Sequence, residues 1–306
     1  QWKKAPKTPD FIDIANNKKP LQKTYMKMLW DDENLYIYAK LYEEHIWGDI
    51  TKRDAVIFKN NDFEVFLKPS IIHTNYGELE INALGTVWDL LLNKPYRLGG
   101  KANTKWNIDN LKSDVYISGT INDPSDKDNY WSTEISIPLN EILEINGPDY
   151  KKVKSGDIWR ANFSRVQWEH DISNGKYSRK KENNKLKREY NWVWSRQGQI
   201  NMHIPENWGF IYFNDKNELN ADFDLKIDIK TEQYGYALFE KIKYKELKYL
   251  NDKTTDERIQ FNSNSLKNNN ITAEFIKTKD GFLIKCENQV DDFIYTINQE
   301  GIIKYK

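Results

Sequence analysis

Short runs of alternating apolar and polar residues cover the first two thirds of the chain. Side chains two residues apart lie on the same face of a strand, so this period predicts β-strands. Clusters of Asn, Asp, Gly and Pro separate the runs, as in an antiparallel sandwich. We therefore predict strands at residues 35–41, 63–68, 79–82, 116–120, 131–137 and 159–164. Residues 170–189 are polar and charged, and are predicted to form a solvated loop.

The pattern changes after about residue 215. Between residues 234 and 250 the apolar side chains are spaced for one face of a helix: Leu238, Phe239, Ile242 and Leu247. Asp280-Gly281 and Glu300-Gly301 then each separate two strand-like runs, and an Asp-Gly step is a strong hairpin signal. We predict two domains, an antiparallel β-sandwich over residues 1–215 and a small α+β appendage, a helix plus hairpins, over residues 216–306.

Composition narrows the class of partner. Lys+Arg and Asp+Glu both number 46, and this balance argues against a nucleic-acid binder, which carries a basic excess. No apolar run reaches the roughly 18 residues that a membrane span needs. Aromatic residues make up 14% of the chain, more than a sheet core alone requires. We expect some of them to form exposed platforms that suit the apolar faces of sugar rings.

The start of the chain and its cysteine content bear on location. The chain begins at Gln1, not Met, which we interpret as the loss of a leader, although a trimmed chain would look the same. We therefore expect a secreted, periplasmic or cell-surface protein. Cys286 is the single cysteine, so no internal disulfide is predicted, and we expect it to be a small buried side chain of a strand.

Four segments in order resemble family 9 carbohydrate-binding modules and their DOMON-like relatives. They are the strand–turn–strand at 28–38, the strand at 62–67, the W-x-x-E-x-x-I-P strand at 130–138, and Trp-Ser, Pro and aromatic-Gly within 194–212. The chain also resembles large secreted relatives of that family in Bacteroidota. The resemblance covers residues 24–213 and implies a jelly-roll-like β-sandwich that binds sugars, commonly with structural calcium.

The resemblance also implies positions for a sugar site. The family clamps a sugar between two tryptophans, and the corresponding positions here are Phe58 and Met202. Hydrogen-bonding positions correspond to Glu64, Arg188 and Gln199, and a family arginine corresponds to Glu80. Since neither clamp position is Trp, Trp88 and Trp168, which lie near loops or strand ends, are candidates to replace them.

Strand alternation supports part of this site independently of the resemblance. It places one set of polar side chains away from the core: Glu64, Glu80, Asn82, Arg160 and Asn162. If their strands are neighbours, this face carries the planar hydrogen-bonding groups that sugar sites use. The alternative is an ordinary solvated face with cross-strand ion pairs, such as Glu80 with Arg160.

Several functions fit these residues. We favour a non-catalytic protein that binds poly- or oligosaccharide and associates with extracellular glycan-degradation machinery. The alternatives are a xylanase-like glycoside hydrolase that uses Glu64 and Glu80 as its carboxylate pair, or a structural or interaction protein whose sugar site has decayed. Calcium is a candidate cofactor because acidic turns supply hard oxygen ligands, but no ligand set is assigned. The acidic residues considered are Asp10, Asp13, Asp31, Asp32 and Glu33.

Overall fold

The computed structural model describes residues 1–16, 18–70, 73–215, 225–243, 258–262 and 270–306. The chain divides into two compact units, Gln1–Pro95 with Gly100–Asn220 and Tyr96–Gly99 with Ala221–Lys306. The short segment Tyr96–Gly99, which the sequence analysis assigned to the sandwich, thus groups with the second unit. That the two units are separable domains stays a prediction.

The first unit consists mainly of β-strands. In chain order they are β1 (Ile12–Asp13), β2 (Thr24–Trp30), β3 (Asn34–Tyr42), β4 (Asp62–Lys68), β5 (Tyr76–Asn82), β6 (Val87–Leu92), β7 (Ala102–Asn103), β8 (Lys112–Ser118), β9 (Tyr130–Pro138), β10 (Ile158–Gln167), β11 (His170–Ser173), β12 (Lys176–Arg179), β13 (Lys181–Glu182), β14 (Lys185–Leu186), β15 (Tyr190–Val193) and β16 (Gly209–Tyr212). A short helix α1 (Leu139–Leu143) follows β9, and 3-10 turns lie at Ile57–Lys59, Glu144–Asn146 and Pro205–Asn207.

Two antiparallel sheets pack against each other. The long sheet has the order β1-β15-β10-β4-β5-β6-β7, with β16 also paired to β10, and the short sheet has the order β2-β3-β9-β8. Alternate side chains of both sheets fill one core, including Phe63 and Val65 of β4, Ile37 of β3 and Trp131 of β9. Because these apolar positions recur every second residue, each strand directs one whole face into the core. The prediction of a mainly β, antiparallel sandwich is confirmed.

The charged segment 170–189 differs from its predicted loop. It contains two short antiparallel ladders, β11 with β12 and β13 with β14. The turn of the first ladder is Asn174-Gly175, with φ of 50° and 70°. Positive φ at both central residues belongs to the tight hairpin turn that Asn-Gly favours, so the local turn chemistry outweighs the polarity of the flanking residues.

One end of the sandwich is held by a buried polar network around Arg165 of β10. Glu43, which follows β3, accepts hydrogen bonds from Asn61 Nδ2 at 2.5 Å, Gln167 Nε2 at 3.0 Å and Trp131 Nε1 at 2.9 Å. Arg165 Nη2 lies 3.3 Å from Glu43 Oε2, and both side chains are almost wholly buried. Burial lowers the pKa of Arg165 to about 10, an effect that the charge of Glu43 opposes.

The second unit is a small α+β structure. Its elements are α2 (Ile227–Lys243), β17 (Arg258–Asn262), β18 (Ile271–Thr278), β19 (Gly281–Asn288), β20 (Ile294–Asn298) and β21 (Ile303–Tyr305), with a 3-10 turn at Tyr96–Leu98. The strands form one antiparallel sheet in the order β17-β18-β19-β20-β21, and α2 packs on β19 and β20. A Cβ at Gly235 would lie 2.6 Å from ring atoms of Tyr295, so only glycine lets the helix approach the sheet this closely.

The predicted elements of this unit mostly agree with the structure. Both predicted hairpins are present, as β18–β19 and β20–β21, and Cys286 is a buried residue of β19 as expected. The helix begins at Ile227, before the predicted start at Tyr234. The last part of the predicted helix, residues 244–250, lies outside the described residues. None of the described helices is long and apolar enough to cross a membrane.

Candidate functional site

The candidate site is the face of the long sheet that points away from the core. Cross-strand register places Glu64 of β4 opposite Glu80 of β5 on one side and Ser164 of β10 on the other. Asp62 lies opposite Asn82 in the same way. The strands β4, β5 and β10 are therefore neighbours, as the predicted polar face required. We name this surface the outer face; its polar members are Asp62, Glu64, Glu78, Glu80, Asn82, Arg160, Asn162 and Ser164.

Loops cover the outer face, so it is not the solvated surface of the alternative interpretation. Glu64 is only 5% exposed, and Asn82, Asn162 and Ser164 are completely buried. The proposed cross-strand ion pair of Glu80 with Arg160 is also wrong. The two residues belong to strands separated by β4, and Arg160 lies opposite Lys68.

Three of the predicted site residues hold the covering loops. Asn82 Nδ2 donates to the carbonyl oxygen of Ile50 at 2.8 Å. Asn162 Nδ2 donates to Ser195 O at 2.8 Å, and its Oδ1 accepts from Ser195 N at 2.9 Å. Arg160 Nη1 donates to the carbonyl oxygen of Glu206 at 3.2 Å. These side chains shape the site by fixing loops at its two ends; that they also contact a ligand stays a prediction.

Phe58 presents an exposed ring from a fixed backbone. Its N–H donates to Glu80 Oε2 at 2.9 Å, and its carbonyl oxygen accepts from Trp168 Nε1 at 2.8 Å. The Phe58 side chain is nevertheless 40% exposed. Trp168 is itself buried and packs with Trp47. The guanidinium carbon of Arg179 lies 4.8 Å from the centroid of the Trp168 ring. The buried Trp168 ring thus holds the backbone of Phe58 in place, and the Phe58 ring is the one exposed to a ligand. That Trp168 contacts a ligand stays a prediction.

Trp88 lies beside the carboxylates of the outer face. It is directly opposite Glu80 in the pairing of β5 with β6 and is half-buried. Its Nε1 is buried and has no hydrogen-bond acceptor among the described residues. Since buried polar groups are nearly always paired, this donor is available to a ligand on the outer face.

The other predicted contacts are Met202, Gln199 and Arg188. Met202 is buried in a cluster that includes Phe66 and Trp208, and its carbonyl oxygen accepts from Trp208 Nε1 at 2.7 Å. Gln199 is half-buried, and Arg188 is exposed. Met202 therefore contributes packing under the loop more than an open ring-like surface.

The most unusual feature of the outer face is a group of buried carboxylates. One carboxylate oxygen from each of Asp62, Glu64 and Glu80 lies within 4.8 Å of the other two. Asp62 Oδ2, Glu64 Oε2 and Glu78 Oε2 are buried without a hydrogen-bond donor among the described residues. Asp62 is a residue that the sequence analysis missed, although the same two-residue period puts it on the face of Glu64.

Burial changes the acidity of these side chains. Desolvation, with a smaller contribution from the charge of Glu189, raises the pKa of Glu64 to about 7. Desolvation and then repulsion by Glu64 raise the pKa of Asp62 and of Glu78 well above the usual range. The pKa of Glu80 is raised in the same way, by desolvation and by its acidic neighbours. The group therefore stores unfavourable charge unless protons or a cation neutralise it.

In the acidic turns considered for calcium, the carboxylate oxygens accept hydrogen bonds from nearby residues of the chain. Asp31 Oδ1 accepts from the N–H groups of Glu33 at 2.9 Å and Asn34 at 2.8 Å. Asp13 Oδ1 accepts from two backbone N–H groups in the same manner. Asp10 pairs with Lys7 and Lys23. These are turn and surface contacts that need no ion.

Fold and site together define an antiparallel β-sandwich with a loop-covered, carboxylate-rich sheet face. Among solved structures, the chain is similar to a proposed carbohydrate-binding protein from Bacteroides uniformis ATCC 8492, with TM-score 0.50 and 13% identity over 70% of this chain and 88% of that one. It is also similar to a family 9 carbohydrate-binding module from Caldicellulosiruptor kristjanssonii in complex with glucose, with TM-score 0.43 and 14% identity over 72% and 90% of the two chains.

The same module in complex with cellotriose gives TM-score 0.41 and 14% identity over 72% of this chain and 88% of that one. No protein-family model and no curated protein matches the sequence. The likeness to the Bacteroides protein, at TM-score 0.50, confirms the expected sandwich fold, at a level of identity where the ligand does not follow from the likeness.

Proposed function

We propose that this protein binds carbohydrate on the outer face of its long sheet without transforming it. The observation that carries the proposal is a pair of unsatisfied buried groups in register across the outer face, the acceptor Glu64 Oε2 on β4 and the donor Trp88 Nε1 on β6, with β5 between them. Sugar hydroxyls both donate and accept hydrogen bonds, so one sugar can satisfy both groups. The exposed ring of Phe58 supplies an apolar surface at the same end as Glu80.

The solved structures of similar fold support the same proposal. The Bacteroides protein is described as carbohydrate-binding, and the Caldicellulosiruptor module is in complex with glucose and with cellotriose. We extend the proposal to a role outside the cytoplasm, in which the protein holds poly- or oligosaccharide close to enzymes that degrade it. This extension rests on the sequence resemblance.

The raised pKa values of Glu64 and Glu80 favour carbohydrate binding over glycoside hydrolysis. Glu64 and Glu80 are close enough to act as a pair, because their carboxylate oxygens lie within 4.8 Å. Retaining enzymes place the two carboxyl groups about 5–5.5 Å apart and need one of them ionised as the nucleophile. Here burial raises the pKa of both side chains, which disfavours an ionised nucleophile. We expect no turnover of xylo- or cello-oligosaccharides in a reducing-sugar assay.

The test begins with a glycan array and continues with isothermal titration of the best ligand. A hydrogen bond between neutral groups contributes roughly 0.5–1.5 kcal/mol, so Glu64→Ala should weaken binding about two-fold to ten-fold. Trp88→Phe keeps the aromatic ring but removes the indole N–H, and should also weaken binding. Arg188→Ala tests the contact predicted from the resemblance.

A matched control comes from the other sheet. Tyr116 of β8 is an exposed aromatic residue of the short sheet, so Tyr116→Ala should bind like wild type, whereas Phe58→Ala should bind more weakly. Wild-type affinity in Glu64→Ala, Trp88→Phe and Phe58→Ala together would place the binding surface elsewhere. Absence of any glycan ligand would refute the proposed function.

A further inference from the structure

We propose that His45 and His170 bind one divalent transition-metal ion of the zinc and copper class, and that this ion joins the loop after β3 to the hairpin of β11 and β12. His45 lies shortly after the end of β3, and His170 is the first residue of β11. Both side chains are half-buried, so an ion can reach them from solvent. The inference goes beyond the proposed carbohydrate function and does not depend on it.

The distance between the two imidazole rings agrees with one shared ion. Their centroids lie 4.8 Å apart, and the ring planes make an angle of 61°. A zinc–nitrogen bond is about 2.0–2.1 Å long and the ring centroid lies about 1.2 Å beyond the nitrogen, so two imidazoles at neighbouring positions of one ion have centroids about 5 Å apart. The backbone therefore already holds the rings at the separation that one ion requires.

The hydrogen bonds of Tyr177 determine which nitrogen of His45 is free. Tyr177 of β12 donates its hydroxyl proton to the carbonyl oxygen of Asp123 at 3.1 Å, and the same hydroxyl lies 2.9 Å from Nδ1 of His45. Because the hydroxyl has one proton and a carbonyl only accepts, Nδ1 carries the hydrogen of the second bond and donates it to the tyrosine oxygen. Nε2 of His45 therefore has a free lone pair. Metal-binding histidines characteristically donate their other ring N–H to an oxygen in this way.

The backbone beside each histidine is fixed by hydrogen bonds. Next to the first, the N–H of Ile46 donates to Oδ2 of Asp128 at 2.7 Å. Next to the second, the carbonyl oxygen of Glu169 accepts from the N–H of Lys180 at 2.8 Å. A site whose ligands are already held in place loses little conformational freedom when the ion binds.

Carboxylates from other segments surround the hydroxyl that orients His45. Burial, and then the charges of Asp128, Asp126 and Asp123, raise the pKa of Tyr177 to about 12. The same negative charges attract a cation bound beside this hydroxyl. Imidazole nitrogen is a ligand that zinc, copper and nickel prefer over calcium or magnesium, so the ion belongs to the first group.

The test uses metal ions alone, without any sugar. Protein freed of metal by a chelator is titrated with Zn²⁺ by calorimetry, and its thermal midpoint is measured with and without Zn²⁺. We expect one ion per chain and a higher midpoint in its presence, because the ion joins two segments that only the folded chain brings together. Cu²⁺ then reports the ligand type, since its electron paramagnetic resonance spectrum should show two nitrogen ligands.

Variants identify the ligands. His45→Gln and His170→Gln should each weaken Zn²⁺ binding at least ten-fold and leave one nitrogen ligand in the Cu²⁺ spectrum. Tyr177→Phe keeps the ring, which stacks on Trp47 with centroids 6.0 Å apart, but removes the orienting hydroxyl. It should weaken Zn²⁺ binding about ten-fold and retain both nitrogen ligands. The matched control is His73→Gln, an exposed histidine, which should bind Zn²⁺ like wild type.

The thermal midpoints of the metal-free variants separate loss of binding from loss of folding. Within the described part of the chain the His170 ring forms no hydrogen bond, so metal-free His170→Gln should keep the midpoint of wild type. Wild-type protein that binds no Zn²⁺, or His45→Gln and His170→Gln that both bind it normally, overturns the metal site. Loss of binding in His73→Gln alone overturns it as well. Binding that depends on both His45 and His170 supports the site, whether or not the protein recognises a glycan.

Discussion

The buried Arg165 network offers the sharpest test of what stabilises the sandwich. The Arg165 side chain is fully buried on β10 and donates to five acceptors from three stretches of the chain: Gln22 Oε1 at 2.7 Å, Thr24 Oγ1 at 3.0 Å, Tyr42 O at 3.0 Å, Glu43 Oε2 at 3.3 Å and Gln167 Oε1 at 2.6 Å. The Trp192 ring lies 5.1 Å from the guanidinium carbon. We predict that Arg165→Met strongly destabilises the first unit.

The magnitude follows from what remains after the substitution. Methionine keeps most of the apolar volume, so the main loss is electrostatic. Glu43 would stay buried without its cation, although Asn61, Gln167 and Trp131 would still donate to it. Removing one partner of a buried ion pair costs about 3–5 kcal/mol. Domains are stable by only about 5–15 kcal/mol, so the loss is a large part of the total.

Urea unfolding followed by tryptophan fluorescence measures this loss. The midpoint should fall while the dependence on urea stays the same, as expected for a change in stability alone. The double variant Glu43→Gln/Arg165→Met should recover part of the loss, because no buried charge is then unpaired. Arg196→Met is the control, since Arg196 is exposed and surface changes usually stay within about 0.5 kcal/mol. A loss in Arg165→Met no larger than in Arg196→Met would refute the reasoning.

Three further predictions concern a glycine, a surface carboxylate and the thiol. Gly119 has φ of 153°, and a Cβ there would lie 1.9 Å from Asp128 Oδ1, so Gly119→Ala should lower stability in thermal unfolding by about 1–3 kcal/mol. Hydrogen bonds from Lys187 and Tyr190 lower the pKa of Glu169 from 4.5 to about 2. The stability advantage of wild type over Glu169→Gln should therefore be complete above pH 4.5 and decline as the pH falls toward 2, measured by urea unfolding across that range. Burial raises the pKa of Cys286 to about 12, so an aromatic disulfide reagent should modify it only after denaturation.

Each of these three predictions would be contradicted by a specific result. Wild-type stability in Gly119→Ala would mean that the Asp128 side chain moves aside without cost. A stability difference in Glu169→Gln that grows at acid pH would mean that the carboxylate is not stabilised in the folded state. Rapid thiol modification of native protein would place Cys286 on an accessible surface.

Local chemistry determined most of the strands and turns. The alternation at Phe63, Val65 and Leu67 required one face of β4 to be buried, because side chains two residues apart point the same way. Asp280-Gly281 marked its hairpin because the chain takes a positive φ of 144° at Gly281, where β19 begins, and glycine adopts such a φ without strain. The same alternation put Glu64 and Glu80 on a common face and could have added Asp62 to it.

The tertiary structure decided what that face became. Polar residues at every second position predict a solvated surface, but Asn82 and Asn162 fix loops from distant parts of the chain over both ends of it. The ion pair of Arg165 with Glu43 joins residues 122 positions apart, and the sequence around neither residue predicts it. Strand register follows from patterns of period two, whereas burial of a polar face depends on which remote loop closes over it. The raised pKa values of the buried carboxylates arise from that closure, because only the removal of water makes neighbouring negative charges costly.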